Sequence, residues 1–336
     1  MLNANILKPH TPEILAPAGS FESLVAAVRC GANAVYVGSR EFSARASAQN
    51  FNNDELKKAV EFCHQRDVKL HLAVNTAVYD SEIDAVKRLI TNAAQIGVDA
   101  LIVSDLGVLS LCREICPELE IHASTQMGIA SPLGAEFAAS LGFKRAVLSR
   151  ELSFNEIKEI CNKNVIDTEV FVHGAMCMCV SGQCYMSSAL GGRSGNRGRC
   201  AQPCRLEFNA AGKGNHHLSL KDMSLCDHLN KLSDIGVNSF KIEGRMKRPE
   251  YVAAAVSLVK ASLEGTEKEE ILSLSRDIFS RSGFTDGYLL CKNDKSMFGF
   301  RSKDDSQNTA SAIKKIHQSF RREYNSVPLS AEITLI

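Results

Sequence analysis

Three observations predict an α/β chain folded as a closed (β/α)8 barrel of the TIM type. Short β-rich apolar runs alternate with amphipathic helical runs eight times in series. The length of 336 residues lies within the range of a single barrel, and 45% hydrophobic residues supply a large core. Doubly wound sheets share the alternation, but eight units and the lack of a dinucleotide-binding glycine fingerprint favour the barrel.

The units follow in order. Glu13–Pro17 leads into a helical pattern over Ser20–Cys30, and Ala34–Gly38, a Val-Tyr-Val run, into Asn53–Arg66. Lys69–Asn75 precedes Asp80–Ile96, and Ala100–Asp105 precedes Gly107–Cys116. Glu120–Thr125 precedes Pro132–Leu141, and Arg145–Ser149 precedes Ser153–Cys161. The seventh strand, Glu169–His173, reaches its helix, Leu225–Ile235, only after a connection of about 45 residues. Ordinary βα connections run ~2–6 residues, so this insertion calls for a function. It emerges at the C-terminal ends of the strands, where barrel active sites lie. Phe240–Glu243 and the helix Pro249–Leu263 complete the eighth unit.

The barrel is thus expected over residues 1–264, with a cysteine-rich loop at 174–218, followed by a C-terminal extension over 265–325. Val327–Ile336 reads as a strand opening a further domain and cut short, so the chain reads as the front part of a longer protein. No apolar run approaches the ~20 residues of a membrane span, and Met1–Pro9 lacks a signal peptide's basic and apolar regions. A cytoplasmic address follows, where thiols stay reduced and disulfides lose ground to metal binding. The net charge of +1 announces no nucleic-acid binder, so any basic surface is local.

Cys177, Cys184, Cys200 and Cys204 crowd the loop among glycines and arginines. Six residues separate the first pair and three the second; only the second matches a zinc knuckle. Four thiolates on a glycine-rich loop equally suit a 4Fe–4S cluster, so zinc and iron–sulfur both stay open. Cys179 is read as packing and Cys226 as a reserve ligand. Cys30, Cys63, Cys112, Cys116, Cys161 and Cys291 stand singly and are read as small buried hydrophobes.

Strand-end polar residues would line the barrel mouth beneath this loop. His173, Asn75, Asp105, Glu243 and Arg245 are the candidate catalytic groups, Gln126, Arg150 and Lys241 are candidate substrate ligands, and Ser124 is a further polar residue of the lining. Glu243 and Arg245 can both face inward only if the strand ends between them, and Gly244 offers that turn. Arg193, Arg197, Arg199 and Arg205 give the loop a local positive field, with Arg193 and Arg197 as candidate substrate contacts. Guanidinium groups suit bidentate phosphate or carboxylate contacts, and they equally offset the negative charge of a thiolate-bound metal. Basic residues in the tail, from Lys292 to Arg322, read as solvated surface.

The run Glu169-Val-Phe-Val-His-Gly-Ala-Met-Cys177, continuing to Gly182-Gln-Cys184-Tyr-Met-Ser187, resembles the signature of the collagenase-like peptidase family U32. Leu15–Ser20, Ser219–Asp222, Phe240–Met246 and Gly283–Leu289 resemble its other blocks, so the similarity runs over roughly residues 12–303. The resemblance implies an iron–sulfur hydroxylation factor rather than a protease. Some members hydroxylate a cytidine of 23S rRNA or a wobble uridine of tRNA with prephenate required, and others support ubiquinone hydroxylation. Carry-over gives Cys177, Cys184, Cys200 and Cys204 as ligands of a 4Fe–4S cluster, with zinc the alternative metal. Ser224 stands where some members carry a cysteine, which leaves the fourth ligand less fixed than the rest.

The expectation is therefore an RNA base hydroxylase, with 23S rRNA ahead of tRNA as partner and no membrane. A peptidase using Cys177 with His173 is the alternative; it leaves three neighbouring cysteines unexplained, and no HExxH or GxSxG is present. A structural zinc module that binds RNA or protein is the non-enzymatic reading.

Overall fold

A computed structural model describes residues 11–210, 213–300 and 309–321. Twelve strands are described: β1 Glu13–Pro17, β2 Ala34–Gly38, β3 Lys69–Val74, β4 Ala100–Val103, β5 Glu120–Ala123, β6 Arg145–Val147, β7 Asp167–Ala175, β8 Phe208–Ala210, β9 Lys213–Asn215, β10 Asp222–Ser224, β11 Ser239–Ile242 and β12 Phe284–Thr285. Strands β1 to β7 and β11 pair in parallel, and β11 joins both β1 and β7, closing an eight-stranded barrel. The eight predicted strands are these eight.

The helices follow their strands: α1 Phe21–Arg29, α2 Asn53–His64, α3 Ile83–Ile96, α4 Leu106–Ile115, α5 Pro132–Ser140 and α6 Phe154–Lys163. Side chains cap most of them. Ser20 accepts from Ser23 N, and Asn52 with Glu55 and Ser153 with Glu156 form capping boxes that satisfy first-turn donors. Later come α7 Met186–Gly191, α8 Leu229–Asp234, α9 Pro249–Glu264, α10 Glu269–Phe279 and α11 Thr309–Arg321.

The core divides in two. The large apolar cluster lies between the barrel wall and its helices, with Leu24, Leu56, Leu70, Ile90 and Phe240 enclosed in it. A second, small apolar cluster of Leu15, Ala34, Tyr36 and Ile102 lies inside the barrel. Charge fills the floor beneath. Arg145 Nη1 pairs with Glu13 at 2.6 Å and with Glu169 at 3.2 Å, and Lys241 Nζ donates to Glu169 at 2.6 Å. His71 and His122 meet edge to face there, and burial pushes both below the usual imidazole range.

Two expectations change. The connection after β7 carries α7 and the β8–β9 hairpin, then returns as β10, antiparallel to the end of β7. β7 runs on to Ala175, past its parallel pairing with β11, and its free backbone groups there are satisfied by β10. The following helix therefore spans only Leu229–Asp234 rather than starting at Leu225, whose N–H donates to Val172 O at 2.8 Å. In the extension, the turn predicted at residues 283–287 contains β12, which pairs with β10, while α10 and α11 pack on α9. The strand expected at Val327–Ile336 lies outside the described residues.

Candidate active site: a thiol loop over a cationic barrel mouth

Side chains from six strands and their following loops enclose a cavity of about 40 Å³ at the barrel mouth. Its apolar wall comes from Ala73, Ile102, Val147 and Phe171. Its polar side comes from Arg45, Arg150, Lys241, Glu243 and Arg245, with Asn75, Ser124 and Gln126 at the edge. Such a space admits a few waters or one end of a small ligand.

Glu243 organises the polar side. Its carboxylate accepts from Arg150 Nη2 at 2.7 Å and from Arg45 Nη2 at 3.0 Å. Burial opposes its charge, but the Arg45 and Arg150 guanidinium groups prevail and hold it down at about 2. Strand β11 ends at Ile242 and Gly244 turns the backbone, so Glu243 and Arg245 both line the cavity. A Cβ on Gly244 would lie 2.5 Å from the Tyr251 ring, and its φ of +155° disfavours any other residue.

Arg245 is 5% exposed and donates to Ser43 Oγ at 2.5 Å, and burial lowers it to about 10. Arg150 also donates to Ala175 O at 3.0 Å and stacks 4.0 Å over the Phe171 ring. Asn75 accepts from Ala44 N at 3.0 Å and donates to Ser124 Oγ at 3.2 Å.

Four candidates, His173, Asp105, Arg193 and Arg197, lie elsewhere. His173 leaves the cavity because β7 carries an extra residue opposite β11: Lys241 aligns with Phe171, but Ile242 aligns with His173. That bulge turns His173 onto the outer face. There its ring lies 5.1 Å from Phe284 and 6.0 Å from Tyr251, and burial lowers it to about 4. Asp105 caps α4, accepting from Gly107 N at 2.8 Å and Val108 N at 3.2 Å, while its other oxygen accepts from Val78 N at 3.1 Å. Its carboxylate is thus committed to backbone.

Arg197, expected on substrate, grips Glu82 with two bonds of 2.7 Å and Ala77 O with one of 2.6 Å, and stacks 4.3 Å over Tyr79. Arg205 is likewise spent on the carbonyls of Leu220 and Met176. Arg193 is exposed with its Nε on Arg199 O, and Arg199 is exposed too.

These bonds make the cysteine loop a cover latched to three strand-end loops, those after β2, β3 and β6. Ala46 N donates to Gly198 O and Ala77 N to Asn196 O, both at 3.2 Å. Ser181 Oγ donates to Glu151 at 2.8 Å and accepts from Arg150 N at 3.2 Å. Gly198 sits so close that a Cβ would stand 2.3 Å from Ser43 O.

The thiols gather in this cover. Burial raises Cys204; beyond Arg205, which lowers it, the charges of Cys177, Cys200 and Cys184 also act on it. All four are free thiols, Cys177 and Cys200 exposed. Among the described residues no three His, Cys, Asp or Glu groups close onto one metal centre, so the thiols are grouped but not converged. Four free thiols in one loop are nonetheless the donor set that a tetrahedral zinc or an iron–sulfur cluster takes. Cys177 also acts on Arg45, whose charge Glu243 chiefly sustains, which joins the loop to the cavity.

Cys179, expected as packing, is partly exposed, donates to Gln183 O at 3.6 Å and lies within the field of Cys184 and Cys177. Cys226, the reserve ligand, is a core thiol at 6% exposure. Of the single cysteines, Cys63 and Cys112 are buried as expected, Cys30, Cys116 and Cys161 are half-buried, and Cys291 is exposed.

The sequence reading missed Arg45, Ser43 and Tyr36. Tyr36 carries a period-two signal, since it alternates with Ala34 on the inner face, whereas Ser43 and Arg45 lie in a loop with no periodicity.

The profile of peptidase family U32 matches residues 19–298. The chain belongs to peptidase family U32. It is 39% identical over 294 residues to the 23S rRNA 5-hydroxycytidine C2501 synthase of Escherichia coli K12, covering 85% of this chain and 44% of that one. It is 35% identical over 277 residues to the tRNA hydroxylation protein P1 of Bacillus subtilis 168, covering 79% and 66%. It is 37% identical over 307 residues to a collagenase of Porphyromonas gingivalis W83, covering 83% and 73%. This U32 chain thus spans less than half the length of the first relative and about two thirds of the second. Among the described residues, no helix is long and apolar enough to cross a membrane.

Proposed function

We propose that this chain carries the catalytic barrel of an iron–sulfur-dependent RNA base hydroxylase, with a 23S rRNA cytidine as substrate and a tRNA uridine as the next choice. Its workplace is then the cytoplasm, and a prephenate-like dicarboxylate is the co-substrate. The observation that carries the reading is the crowding of Cys177, Cys184, Cys200 and Cys204 in one insertion that is latched to the barrel mouth, where Ala46 N donates to Gly198 O and Ala77 N to Asn196 O. The names of the relatives from Escherichia coli and Bacillus subtilis add RNA hydroxylation.

Cys177, Cys184, Cys200 and Cys204 would hold the cluster, which when bound supplies one-electron redox chemistry. The chain's own groups do the rest. An extruded base is the form of RNA that reaches an enclosed site. Arg193 and Arg199, exposed on the cover, suit the RNA backbone. Arg45, Arg150 and Glu243 form a fixed charged array that orients a polar group at the mouth. The collagenase relative keeps a peptidase in view. Against a Cys177–His173 pair stands His173 itself, lowered to about 4 in an apolar setting and so a weak base for a thiol.

The test is anaerobic purification with iron, acid-labile sulfide and zinc counted per chain, followed by mass mapping of 23S rRNA and tRNA from cells with and without the gene. About four irons and four sulfides per chain and a lost hydroxylated base are expected. Cys204→Ala should lose the metal and Cys179→Ala keep it. One zinc without sulfide, or unchanged RNA, sinks the reading.

A further inference from the structure

Cys179 is the loop thiol that the proposed ligand set leaves unused, and its surroundings are built rather than open. Residues 180–183 form a turn in which Gln183 N donates to Val180 O at 3.1 Å. Gly182 stands third in it with φ +77°, the conformation a type II turn demands there. A chain reversal of this kind sets the residues just outside it face to face, and here these are Cys179 and Cys184. The two thiols lie within hydrogen-bonding reach of each other, and the Cys179 thiol also donates to Gln183 O at 3.6 Å. The turn is fixed on three sides. Ser181 donates through N and Oγ to Glu151 at 3.0 and 2.8 Å. Gly182 O accepts from Asn196 Nδ2 at 3.0 Å, and a Cβ on Gly182 would lie 2.2 Å from Gln126 O. Both thiols are free and partly exposed. A rigid turn thus holds two accessible sulfurs together.

We propose that Cys179 and Cys184 are a redox-active pair, which a low-molecular-weight disulfide such as glutathione disulfide converts reversibly into a Cys179–Cys184 bond. One thiol attacks a glutathione sulfur as the thiolate, forming a mixed disulfide and releasing one glutathione; the other thiol then displaces the second glutathione. The two cysteines lose two protons and two electrons, and the glutathione disulfide becomes two thiols. The bond closes a ring over four intervening residues that the turn already orders, so little chain entropy is lost in forming it. Residues facing each other across a reversal have Cα atoms about 4.5–5.5 Å apart, within the span that a disulfide bridges. Cys200 is engaged differently, its Sγ accepting from Gln202 N at 3.3 Å within its own segment. In a reducing compartment such a bond is transient, the form in which disulfides there act as sensors. The inference deepens the proposed function by giving its metal site a regulation: oxidation takes Cys184 out of the ligand set and leaves three thiols. It rests on that reading only for the ligand role of Cys184, since the turn and the paired thiols stand without any metal.

For the test, the metal-free, reduced full chain is equilibrated with glutathione disulfide, its remaining thiols are alkylated, and the sites are read by tandem mass spectrometry. Cys179 and Cys184 are expected to escape alkylation first, in a peptide lighter by two hydrogens, while Cys177, Cys200 and Cys204 are alkylated. Dithiothreitol should restore both thiols. The metal-loaded chain is then given the same oxidant, and metal release is followed with a chromogenic chelator. Cys179→Ser, a near-isosteric change at a partly exposed site, should slow that release at least about fivefold. A dominant disulfide that includes Cys177, Cys200 or Cys204 overturns the inference, as do pair thiols alkylated as readily as the others. Metal release from Cys179→Ser at the wild-type rate overturns it too. The two readings fail separately. A Cys179–Cys184 bond in a chain that takes up neither iron nor zinc keeps the pair and sinks the metal site; a metal-loaded chain that never forms the bond does the reverse.

Discussion

Glu169 is fully enclosed and accepts from Lys241 and Arg145 at once, and it is the one ion-pair partner of Lys241 among the described residues. Removing one member of a buried pair leaves the other uncompensated, at a cost of about 3–5 kcal/mol. Glu169→Gln should lower stability by that amount, read from the denaturant midpoint, although its shape barely changes. His173 sets a pH dependence. Its folded value of about 4 lies below the ordinary 6.5, so its contribution is complete above pH 6.5 and falls away as the pH drops towards 4. Within that window the unfolded chain takes up a proton that the folded chain excludes. His173→Asn should flatten the loss of stability between pH 6.5 and 4 by up to about 3 kcal/mol. His71 and His122 are also pushed down by burial, so the slope shrinks without vanishing.

At the scale of elements, the cysteine loop behaves as a cover whose hold comes from particular side chains rather than from its own length. Arg197 is the strongest latch, with three bonds and a ring beneath it. Glu82, its partner, is held down at about 2 by Arg197 and the Tyr79 backbone, so the latch stays ionised in any ordinary buffer. Arg197→Ala should speed amide exchange across residues 77–82 and 194–200 while the barrel strands stay protected. Gly198→Ala should do the same, because its Cβ would overlap Ser43 O and its φ of +75° suits glycine.

Sequence alone located this loop, its four clustered thiols and the strand end from which it leaves. It missed the latch because Arg197 meets Glu82 from 115 residues away, a pairing that no local pattern encodes. It misplaced His173 because a single-residue bulge reverses which face a strand residue occupies, and hydrophobic alternation carries no mark of it.

For the whole molecule, the barrel was legible because its eight strands and helices each bury one apolar face, which period and composition display. Less legible was how the extension covers the barrel's flank. There α11 lies on α9 and α1, Arg29 donates to the carbonyls of Phe320 and Arg321 at 3.0 and 3.1 Å, and Phe320 is 3% exposed. The extension is thus part of the same folding unit as the helices it covers. Phe320→Ala should cost about 3 kcal/mol and shift one cooperative transition rather than create a second, as followed by calorimetry.

The floor of the barrel has a thermal consequence. Where a barrel of this kind ordinarily stacks layers of branched apolar side chains, this one sets Glu13, Arg145, Glu169 and Lys241. Withdrawing ions from water becomes less costly on heating, while apolar burial stops improving. Less apolar surface inside also means a smaller heat-capacity change on unfolding. The inner wall therefore contributes a flatter temperature profile than the outer core, and its relative share of the fold's stability grows as the protein warms.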